Sequence, residues 1–453
     1  MKNEKRSSFT GKIGFVLAAA GSAVGLGNIW RFPYLAAKYG GGIFLLVYIA
    51  LSVTFGFSLM VAEIAIGRKT GLSAIGAFKK LDKRFGFVGI IAALVPVMIL
   101  PYYSVIGGWV MKYFSGFVSG GLSDMANDSY FSAYISKTGE PVFWFLLFIV
   151  ITAVVVILGV NKGVEAVSKV MMPALVVLIL FITVYTSVTL EGAWDGIVYY
   201  IKPDFSKFSV MTVVAAMGQL FYSMSLAMGI MITFGSYMKK DISIEKSAHQ
   251  IEIFDTGIAF LAGLMIVPAV FAFSGGDEAA LGKGPGLMFI TLPKVFDAMP
   301  GGSVIGAVFF VMVFFAALTS AISLMETIVS IFVDKFKIER RLCCVFVLIG
   351  CILLGLPSAF GFSIWSSFLP LGMDILTFFD FISNGVVMPI VAFFTAIFVA
   401  YFLKPKAVIE EIELSGKFKW RGLFSAVIKY VAPVFIVAIL VSSVLDAFGI
   451  LTI

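Results

Sequence analysis

The sequence predicts an all-α polytopic membrane protein that contains an inverted repeat of five helices (helices 1–5 and 6–10), with broken helices 1 and 6 and an additional eleventh helix. The first observation behind this prediction is composition: of 453 residues, 60% are hydrophobic and 13% are charged. A soluble domain of this size needs far more charged surface. The second is that apolar runs of about 20 residues, the length that crosses a bilayer core, recur along the chain. The third is that two of these runs, five runs apart, are interrupted by glycine or polar residues.

Eleven apolar runs are long enough to cross a bilayer as helices. They lie near residues 13–37, 42–67, 87–117, 142–160, 166–188, 212–238, 251–274, 303–333, 342–358, 375–403 and 424–448. No linker or low-complexity tract divides them, so we expect one membrane domain over residues 1–453. The mean hydropathy of +1.05 agrees with this class.

The net charge of +7 is interpreted as a signal of membrane orientation. Lysine and arginine cluster before the first run and in alternate loops, and such loops face the cytoplasm. These clusters are Lys2, Lys5, Arg6 and Lys12; Arg68, Lys69, Lys79, Lys80, Lys83 and Arg84; Lys239 and Lys240; and Lys335, Lys337, Arg340 and Arg341. We therefore expect a multi-pass protein of the plasma (inner) membrane with a cytoplasmic N-terminus, and no nucleic-acid partner.

The two interrupted runs predict the repeat. The first run contains "LAAAGSAVGLGNIWRFP" and the sixth contains "GQLFYSMSLAMG", and each opens a block of five helices. Because five is odd, the second block enters the membrane from the opposite side, which is typical of inverted repeats. The repeats are predicted over 13–188 and 212–403, with 424–448 as an additional helix. No clear similarity of residues links the blocks, so this prediction depends on spacing and interruption.

The interruptions have two interpretations. Gly21 and Gly25 form a G-x-x-x-G pair that is common where membrane helices simply pack closely. Gly27 and Asn28 extend the break beyond one helix face, however, and a matching polar break at Ser223–Ser225 lies in the sixth run. Unpaired backbone is tolerated at membrane depth only where it is buried in protein or lines a cavity. Freed carbonyls suit a sodium ion, and a helix N-terminus suits a carboxylate.

Five motifs in order carry a family resemblance: "GSAVGLGNIWRFPY", "YGGGIF", "AEIAIGR", "GQLFYSMSL" and "FFAALTSAISLMET". At these residues the sequence closely resembles the neurotransmitter:sodium symporter family, in particular its bacterial transporters of hydrophobic or aromatic amino acids with eleven helices. The resemblance extends from Arg6 through the tenth helix. It implies a single transporter domain that imports a hydrophobic or aromatic L-amino acid with sodium by alternating access. An enzyme is not expected, because the sequence carries no recognisable metal cluster, nucleophile–histidine pair or cofactor motif.

The resemblance implies two Na⁺ ions. The first would be bound by the Ala23 carbonyl, Asn28, Ser223, Asp255 and the substrate carboxylate. The second would be bound by the carbonyls of Gly21, Val24 and Ala316 and the hydroxyls of Thr319 and Ser320. Hydroxyls in an apolar helix need partners, but a bond to a carbonyl of their own helix is a common alternative.

The substrate would lie between the two breaks. The residues that the resemblance places around it are Ser22, Ala23, Leu26, Gly27, Ile99, Tyr103, Tyr222, Ser223, Ser225, Met228, Ser320 and Leu324. Tyr103 would meet the carboxylate, although a tyrosine in "LPYYSV" could simply pack in the core. Ser22 and Ala23 stand where animal monoamine carriers have an acid, which favours a free amino acid.

The resemblance also implies two gates, and it indicates that this chain differs from the animal members in its use of chloride. Asp255 and Ala259 replace an asparagine and a serine of the animal members, so chloride is not expected to be required; an ordinary buried acid is the alternative. The outer gate would be Arg31 and Asp380 with Gln219, and the inner gate Arg6 and Asp334 with Ser236 and Tyr237. Both gate pairs argue against a sodium-binding sensor of the same fold without transport. Glu63 would either pair with Arg68 or hydrogen-bond the broken backbones.

Overall fold

A computed structural model describes residues 8–277 and 284–451. Nine helices in these residues are long and apolar enough to cross a membrane. We number the membrane segments 1 to 11 in chain order. The nine are segment 2 (Gly42–Thr70), 3 (Lys83–Val118), 4 (Gly139–Ile157), 5 (Val160–Thr189), 7 (Ile244–Ser274), 8 (Gly302–Phe336), 9 (Arg340–Phe360), 10 (Ile375–Phe402) and 11 (Arg421–Ala447).

Segments 1 and 6 are broken, as the sequence predicts. Segment 1 consists of 1a (Lys12–Ala23) and 1b (Gly27–Lys38), bent by 57°. Segment 6 consists of 6a (Val210–Ser223) and 6b (Ile230–Ser236). Neither half of segment 6 reaches the roughly 20 residues that a crossing requires. With these two segments, all eleven predicted runs are accounted for; the bounds of the two repeats stay a prediction.

The breaks differ in backbone conformation. Segment 1a ends at Val24, whose φ of −73° and ψ of 105° are extended. In segment 6 the interruption contains Ser225 at φ 53° and Ala227 at φ 59°, followed by Gly229 at φ 72°. Side chains with a Cβ are disfavoured at positive φ, so Ser225 and Ala227 are held there by their surroundings. The result is a stretch of non-helical backbone in the middle of the protein.

The broken segments lie at the centre of the bundle. Segment 1a packs against segments 5, 7 and 8, and segments 3 and 8 pack closely against each other. Segment 8 is the most deeply buried of the nine unbroken segments, whereas segments 4, 5, 9 and 11 are the least buried and form the periphery. The polar residues of the breaks are therefore shielded from lipid by a ring of apolar helices.

The backbones of segments 2 and 6b pack directly against each other. A Cβ added at Gly67 would collide with the carbonyl of Ile232, and one added at Gly235 would collide with the carbonyl of Ile64. Glycine is required at such a crossing because no other residue lacks a Cβ. The two segments therefore pack tightly because their surfaces are complementary at these glycines.

A short helix, Pro405–Glu413, connects segments 10 and 11 and is anchored by Arg68 at the end of segment 2. The buried guanidinium of Arg68 donates to Glu411 Oε1 at 2.9 Å and to the carbonyl of Ile242 at 2.7 Å. Arg68 therefore pairs with Glu411, so the alternative of a Glu63–Arg68 pair is wrong. Phe402 at the end of segment 10 packs at a tilt against Phe85 at the start of segment 3.

Candidate ion and substrate site

A small cavity lies between the breaks of segments 1 and 6 and the middle of segments 3 and 8. It is lined by Ser22, Ala23, Gly25, Leu26, Gly27, Asn28, Ile99, Tyr103, Tyr222, Ser223, Ser225, Met228, Ile230, Ser320 and Leu324. All twelve residues that the sequence predicts for substrate binding are in this lining. The space between them is about 30 Å³, which is room for about two water molecules. An amino acid would therefore require the lining side chains to move apart.

Ile230 lines the cavity although sequence reasoning did not place it there. It is the first residue of segment 6b and directly follows Gly229, whose φ is 72°. The glycine in "SLAMG" is a visible signal for a turn. The direction in which the chain leaves that turn cannot be read from residue types.

The residues predicted for the first sodium ion form a buried polar cluster around Asp255. Oδ1 of Asp255 accepts hydrogen bonds from Asn28 Nδ2 at 2.8 Å and from the Ser223 hydroxyl at 2.6 Å. Its Oδ2 accepts one from the Tyr48 hydroxyl at 3.3 Å. All four side chains are buried. A buried carboxylate is tolerated when it is hydrogen-bonded in this way or bound to a cation.

Asn28 connects this cluster to the break in segment 1. Its Oδ1 accepts the backbone N–H of Gly25 at 3.0 Å, while its Nδ2 also donates to Ser223 at 2.9 Å. The two ends of the amide are assigned from this network. Ala23, which would supply a carbonyl, lines the same cavity. The four predicted residues are therefore neighbours.

The residues predicted for the second sodium ion also lie together, where segment 8 meets the end of segment 1a. The Ser320 hydroxyl is within hydrogen-bonding distance of the carbonyls of Gly21 at 3.3 Å and Val24 at 3.1 Å. The Thr319 hydroxyl donates to carbonyls of its own helix, including Ala316 at 3.2 Å. Thr319 therefore bonds within its own helix, whereas Ser320 bonds to carbonyls of segment 1a and its break. The arrangement gathers five oxygens of the kind that sodium prefers.

The N-terminal end of segment 1b faces a tyrosine hydroxyl. The backbone N–H of Leu26 donates to Tyr103 Oη at 3.3 Å. Ser225 donates to the carbonyl of Ser22 at 2.9 Å, which joins the two breaks directly. The cavity is therefore bordered by the backbone N–H of Leu26 and by hydroxyl and carbonyl oxygens. These groups match a ligand with both a carboxylate and an ammonium group.

Glu63 on segment 2 supports the break in segment 6. Its Oε1 accepts the backbone N–H of Ala227 at 2.7 Å, and its side chain is 2% exposed. Within residues 8–277 and 284–451, its Oε2 has no hydrogen-bond partner. A buried acceptor of this kind satisfies backbone that a helix would otherwise pair.

The outer gate residues lie near the cavity but are not joined. Within the described ranges, no ion pair or hydrogen bond links Arg31 to Asp380. Asp380 instead accepts hydrogen bonds from Tyr102 Oη at 2.9 Å and Asn384 Nδ2 at 2.6 Å. Gln219 donates to the carbonyl of Gly27 at 3.1 Å, at the upper edge of the cavity. The predicted Arg31–Asp380 contact is therefore absent from this conformation.

Tyr102 and Asn384 are contacts of Asp380 that sequence reasoning missed. Asn384 stands four residues after Asp380, which puts both on one helix face. Tyr102 precedes Tyr103 in "LPYYSV". Both signals are in the sequence, but each is too common to identify a partner of Asp380 by itself.

The inner gate residues are embedded in a packed layer. Asp334 accepts the backbone N–H of Ser73 at 2.7 Å. Tyr237 donates to Glu326 Oε1 at 2.8 Å, and Ser236 donates to the carbonyl of Thr233. Arg6, the predicted partner of Asp334, lies outside the described residues.

Further contacts hold the inner side together. The N–H of Phe9 donates to the carbonyl of Tyr237 at 3.2 Å, and the Phe9 ring packs edge-on against Phe234. Glu326 also forms an ion pair with Arg340 on segment 9. The inner side is therefore closed by contacts between several segments, whereas the outer pair is apart.

Known proteins resemble this chain along nearly its whole length. The model of the Sodium:neurotransmitter symporter family matches residues 6–132 and 125–449. The sequence is 34% identical over 450 residues to the uncharacterised sodium-dependent transporter YhdH of Bacillus subtilis, covering 97% of this chain and 98% of that protein. It is 32% identical over 457 residues to an uncharacterised sodium-dependent transporter of Haemophilus influenzae, covering 97% and 99%. Its fold matches the crystal structure of MhsT in complex with L-phenylalanine with a TM-score of 0.87 and 35% identity, covering 97% of this chain and 100% of that one.

Proposed function

The chain belongs to the sodium:neurotransmitter symporter family, and from this premise we propose that it imports a hydrophobic or aromatic L-amino acid together with Na⁺, without chloride, by alternating access. The observation that carries the proposal is the cavity between two broken segments, bordered by a backbone N–H and by hydroxyl and carbonyl oxygens. This multi-pass membrane protein is a sodium-coupled transporter by family. The substrate, the ions and the direction of transport are the parts that we propose.

An apolar amino acid fits the chemistry of the lining. Ile99, Met228 and Leu324 give the cavity an apolar wall, and methionine adapts its shape readily. The substrate carboxylate would take the Leu26 N–H and the Tyr103 hydroxyl at the N-terminal end of segment 1b. Support also comes from MhsT, whose solved structure contains L-phenylalanine.

Two Na⁺ ions would occupy the two oxygen clusters. The first would use Ala23, Asn28, Ser223 and Asp255 and would also contact the substrate carboxylate, which would couple the ion to the amino acid. The second would hold segment 1a against segment 8. Its ligands would be the carbonyls of Gly21, Val24 and Ala316 and the hydroxyls of Thr319 and Ser320. Sodium is a hard cation, so carbonyl, hydroxyl and carboxylate oxygens suit it.

Asp255 would replace the negative charge of chloride. Its carboxylate accepts hydrogen bonds from Tyr48 and Ser223, which would hold it in place beside the first ion. A fixed charge there would compensate a nearby Na⁺ through the whole cycle. A diffusible anion would then have no role.

Uptake into proteoliposomes tests the proposal. With an inward Na⁺ gradient and gluconate in place of chloride, we expect the full chain to accumulate radiolabelled L-phenylalanine or another apolar amino acid. An equal K⁺ gradient should give none. Binding without accumulation would identify a sensor, and accumulation that ignores Na⁺ would contradict both proposed ion sites.

The role of Asp255 needs a charge-neutral variant and a matched control. We expect Asp255→Asn to lose most of its uptake in gluconate and to recover part of it in chloride, because chloride would then supply the missing charge. Glu252→Gln removes another buried carboxylate one turn away on segment 7 and should show no dependence on chloride. If Asp255→Asn is equally active in both anions, Asp255 does not replace chloride.

A further inference from the structure

A basic groove lies where segments 10 and 11 are connected. None of its residues lines the cavity between segments 1 and 6. Its volume is about 790 Å³. The lining comes from the last turn of segment 10, the helix Pro405–Glu413 and the first turns of segment 11. It consists of Ala400, Tyr401, Lys404, Pro405, Lys406, Ile409, Glu410, Glu413, Arg421, Ser425, Lys429 and Tyr430.

The charge of the groove is unbalanced. Four of its side chains are cationic and two are carboxylates. The single ion pair recorded among them, Lys406 with Glu410 at 3.9 Å, is long and exposed. In the described part of the chain, Lys404, Arg421 and Lys429 have no carboxylate within ion-pair distance. Three cations therefore face the groove without an anionic partner from the protein.

Among these cations, Lys429 lies furthest along segment 11, and its position indicates what the groove binds. It stands eight residues into segment 11, which places it about 12 Å along the helix from Arg421. It is half-buried, and its own carbonyl accepts a hydrogen bond from Tyr401 at 3.1 Å. A lysine at this depth is costly unless its stem lies along apolar surface and its ammonium meets an anion near the headgroups.

An apolar track continues from the groove along the same helix. Tyr430, Val434, Val437 and Val441 are 68%, 65%, 45% and 50% exposed. Their spacing places them on one face of segment 11. A ligand with an anionic head and a hydrocarbon tail would lie with its head among the cations and its tail along this track. A free phosphate ion would contact only the cations of the groove and not the apolar track.

We propose that this groove binds the phosphate headgroup of an anionic phospholipid, such as phosphatidylglycerol, with an acyl chain along segment 11. The chemistry is that of basic pockets between membrane helices, which bind anionic headgroups on the cytoplasmic side. The lipid would bridge segment 11 to the connecting helix that Arg68 anchors to segment 2. This site is independent of the proposed transport function.

Native mass spectrometry of the delipidated full chain tests this proposal. On titration with dioleoyl-phosphatidylglycerol, we expect one lipid to be retained at a concentration where dioleoyl-phosphatidylcholine is not. Each cation near a membrane surface contributes about fivefold in affinity, so Lys404→Gln, Arg421→Gln and Lys429→Met together should weaken retention about 100-fold. Inorganic phosphate in large excess should not displace the lipid.

The control is a variant with the same loss of charge elsewhere on the same face. Lys79→Gln, Lys83→Gln and Lys246→Gln remove three exposed cations outside the groove and should leave lipid binding unchanged. If the half-buried Lys429 does not tolerate substitution, the exposed pair Lys404→Gln and Arg421→Gln should still weaken binding about 25-fold. Equal retention of the two lipids, unchanged binding by the groove variants, or displacement by phosphate would each overturn the proposal.

Discussion

The hydroxyl of Tyr103 accepts a hydrogen bond from the backbone N–H of Leu26, at the N-terminal end of segment 1b. We predict that Tyr103→Phe raises the KM for amino-acid uptake roughly 10- to 100-fold, because a lost hydrogen bond to a charged group costs about 1.5–3 kcal/mol. Uptake kinetics in proteoliposomes measure this change. The maximal rate should fall less than the affinity.

The matched control is Tyr113→Phe on the same segment. Tyr113 is also buried, and its hydroxyl donates to the carbonyl of Phe289 at 2.8 Å, away from the cavity. It should lower stability without raising KM. An equal change in KM for both variants would show that Tyr103 acts only through packing.

Gly25 lines the cavity between the hydroxyls of Ser320 and Tyr103. A Cβ there would lie 3.0 Å from the Ser320 hydroxyl oxygen and 3.2 Å from that of Tyr103. We predict that Gly25→Ala folds but loses most amino-acid binding, because the methyl group fills the space between the two polar walls. Gly257→Ala, where a Cβ meets nothing within 4 Å, should bind normally. Scintillation proximity binding of radiolabelled L-phenylalanine distinguishes the two.

At the scale of elements, the break in segment 6 depends on a carboxylate from segment 2. We predict that Glu63→Ala destabilises the fold by about 1–3 kcal/mol, since it leaves the buried N–H of Ala227 unpaired. Glu63→Gln keeps an oxygen acceptor and should retain most of that stability. Thermal unfolding followed by tryptophan fluorescence measures both, and equal midpoints for the two variants would contradict the assigned hydrogen bond.

The existence of the eleven segments can be predicted from the sequence, whereas the full extent of the break in segment 6 cannot. Hydropathy and length predict all eleven segments, because each must satisfy its own backbone within about 30 Å of hydrocarbon. The break of segment 6 is predicted at Ser223–Ser225, yet it continues to Gly229. Only the glycine signals a positive φ. Ala227 adopts one because Glu63 binds its N–H, a contact 164 residues apart that no local pattern encodes.

At the scale of the whole molecule, the two sides of the cavity differ. Around the inner gate residues the segments are joined by packing, hydrogen bonds and the Glu326–Arg340 ion pair, whereas no hydrogen bond or ion pair in the described residues joins Arg31 to Asp380. We predict that Asn384→Cys, beside Asp380, reacts with an impermeant maleimide added outside in Na⁺ and is protected when L-phenylalanine is present. The three native cysteines are buried and should contribute little background.

Ser129→Cys provides the reference for this labelling. Ser129 is exposed in the loop between segments 3 and 4, so its cysteine should react with or without the amino acid. Protection of both positions would indicate an effect on the reagent. Lack of protection at Asn384→Cys in a chain that accumulates L-phenylalanine would show that the outer side does not close over its substrate.

The residues predicted for the substrate and the ions lie together in the structure, whereas the two residues of the outer gate are not joined. All twelve residues predicted for substrate binding line the cavity, because they lie in segments 1 and 6 near their breaks or in segments 3 and 8 beside them. The outer pair could not be predicted in this arrangement, since contact between Arg31 and Asp380 depends on the conformation of the whole bundle. Asp380 is instead held by Tyr102 and Asn384, two ordinary residues of helices.

The glycine crossing of segments 2 and 6b has a kinetic consequence. Gly67 and Gly235 bring the two backbones into contact, and Glu63 holds Ala227. In the proposed alternating access, segment 6b would therefore rotate together with segment 2 as a rigid body. Collective rotations of this kind take on the order of microseconds to milliseconds, far slower than the fluctuation of a loop. The turnover number would then report how often two whole segments rotate, and it would be insensitive to the sequence of the loops that connect them.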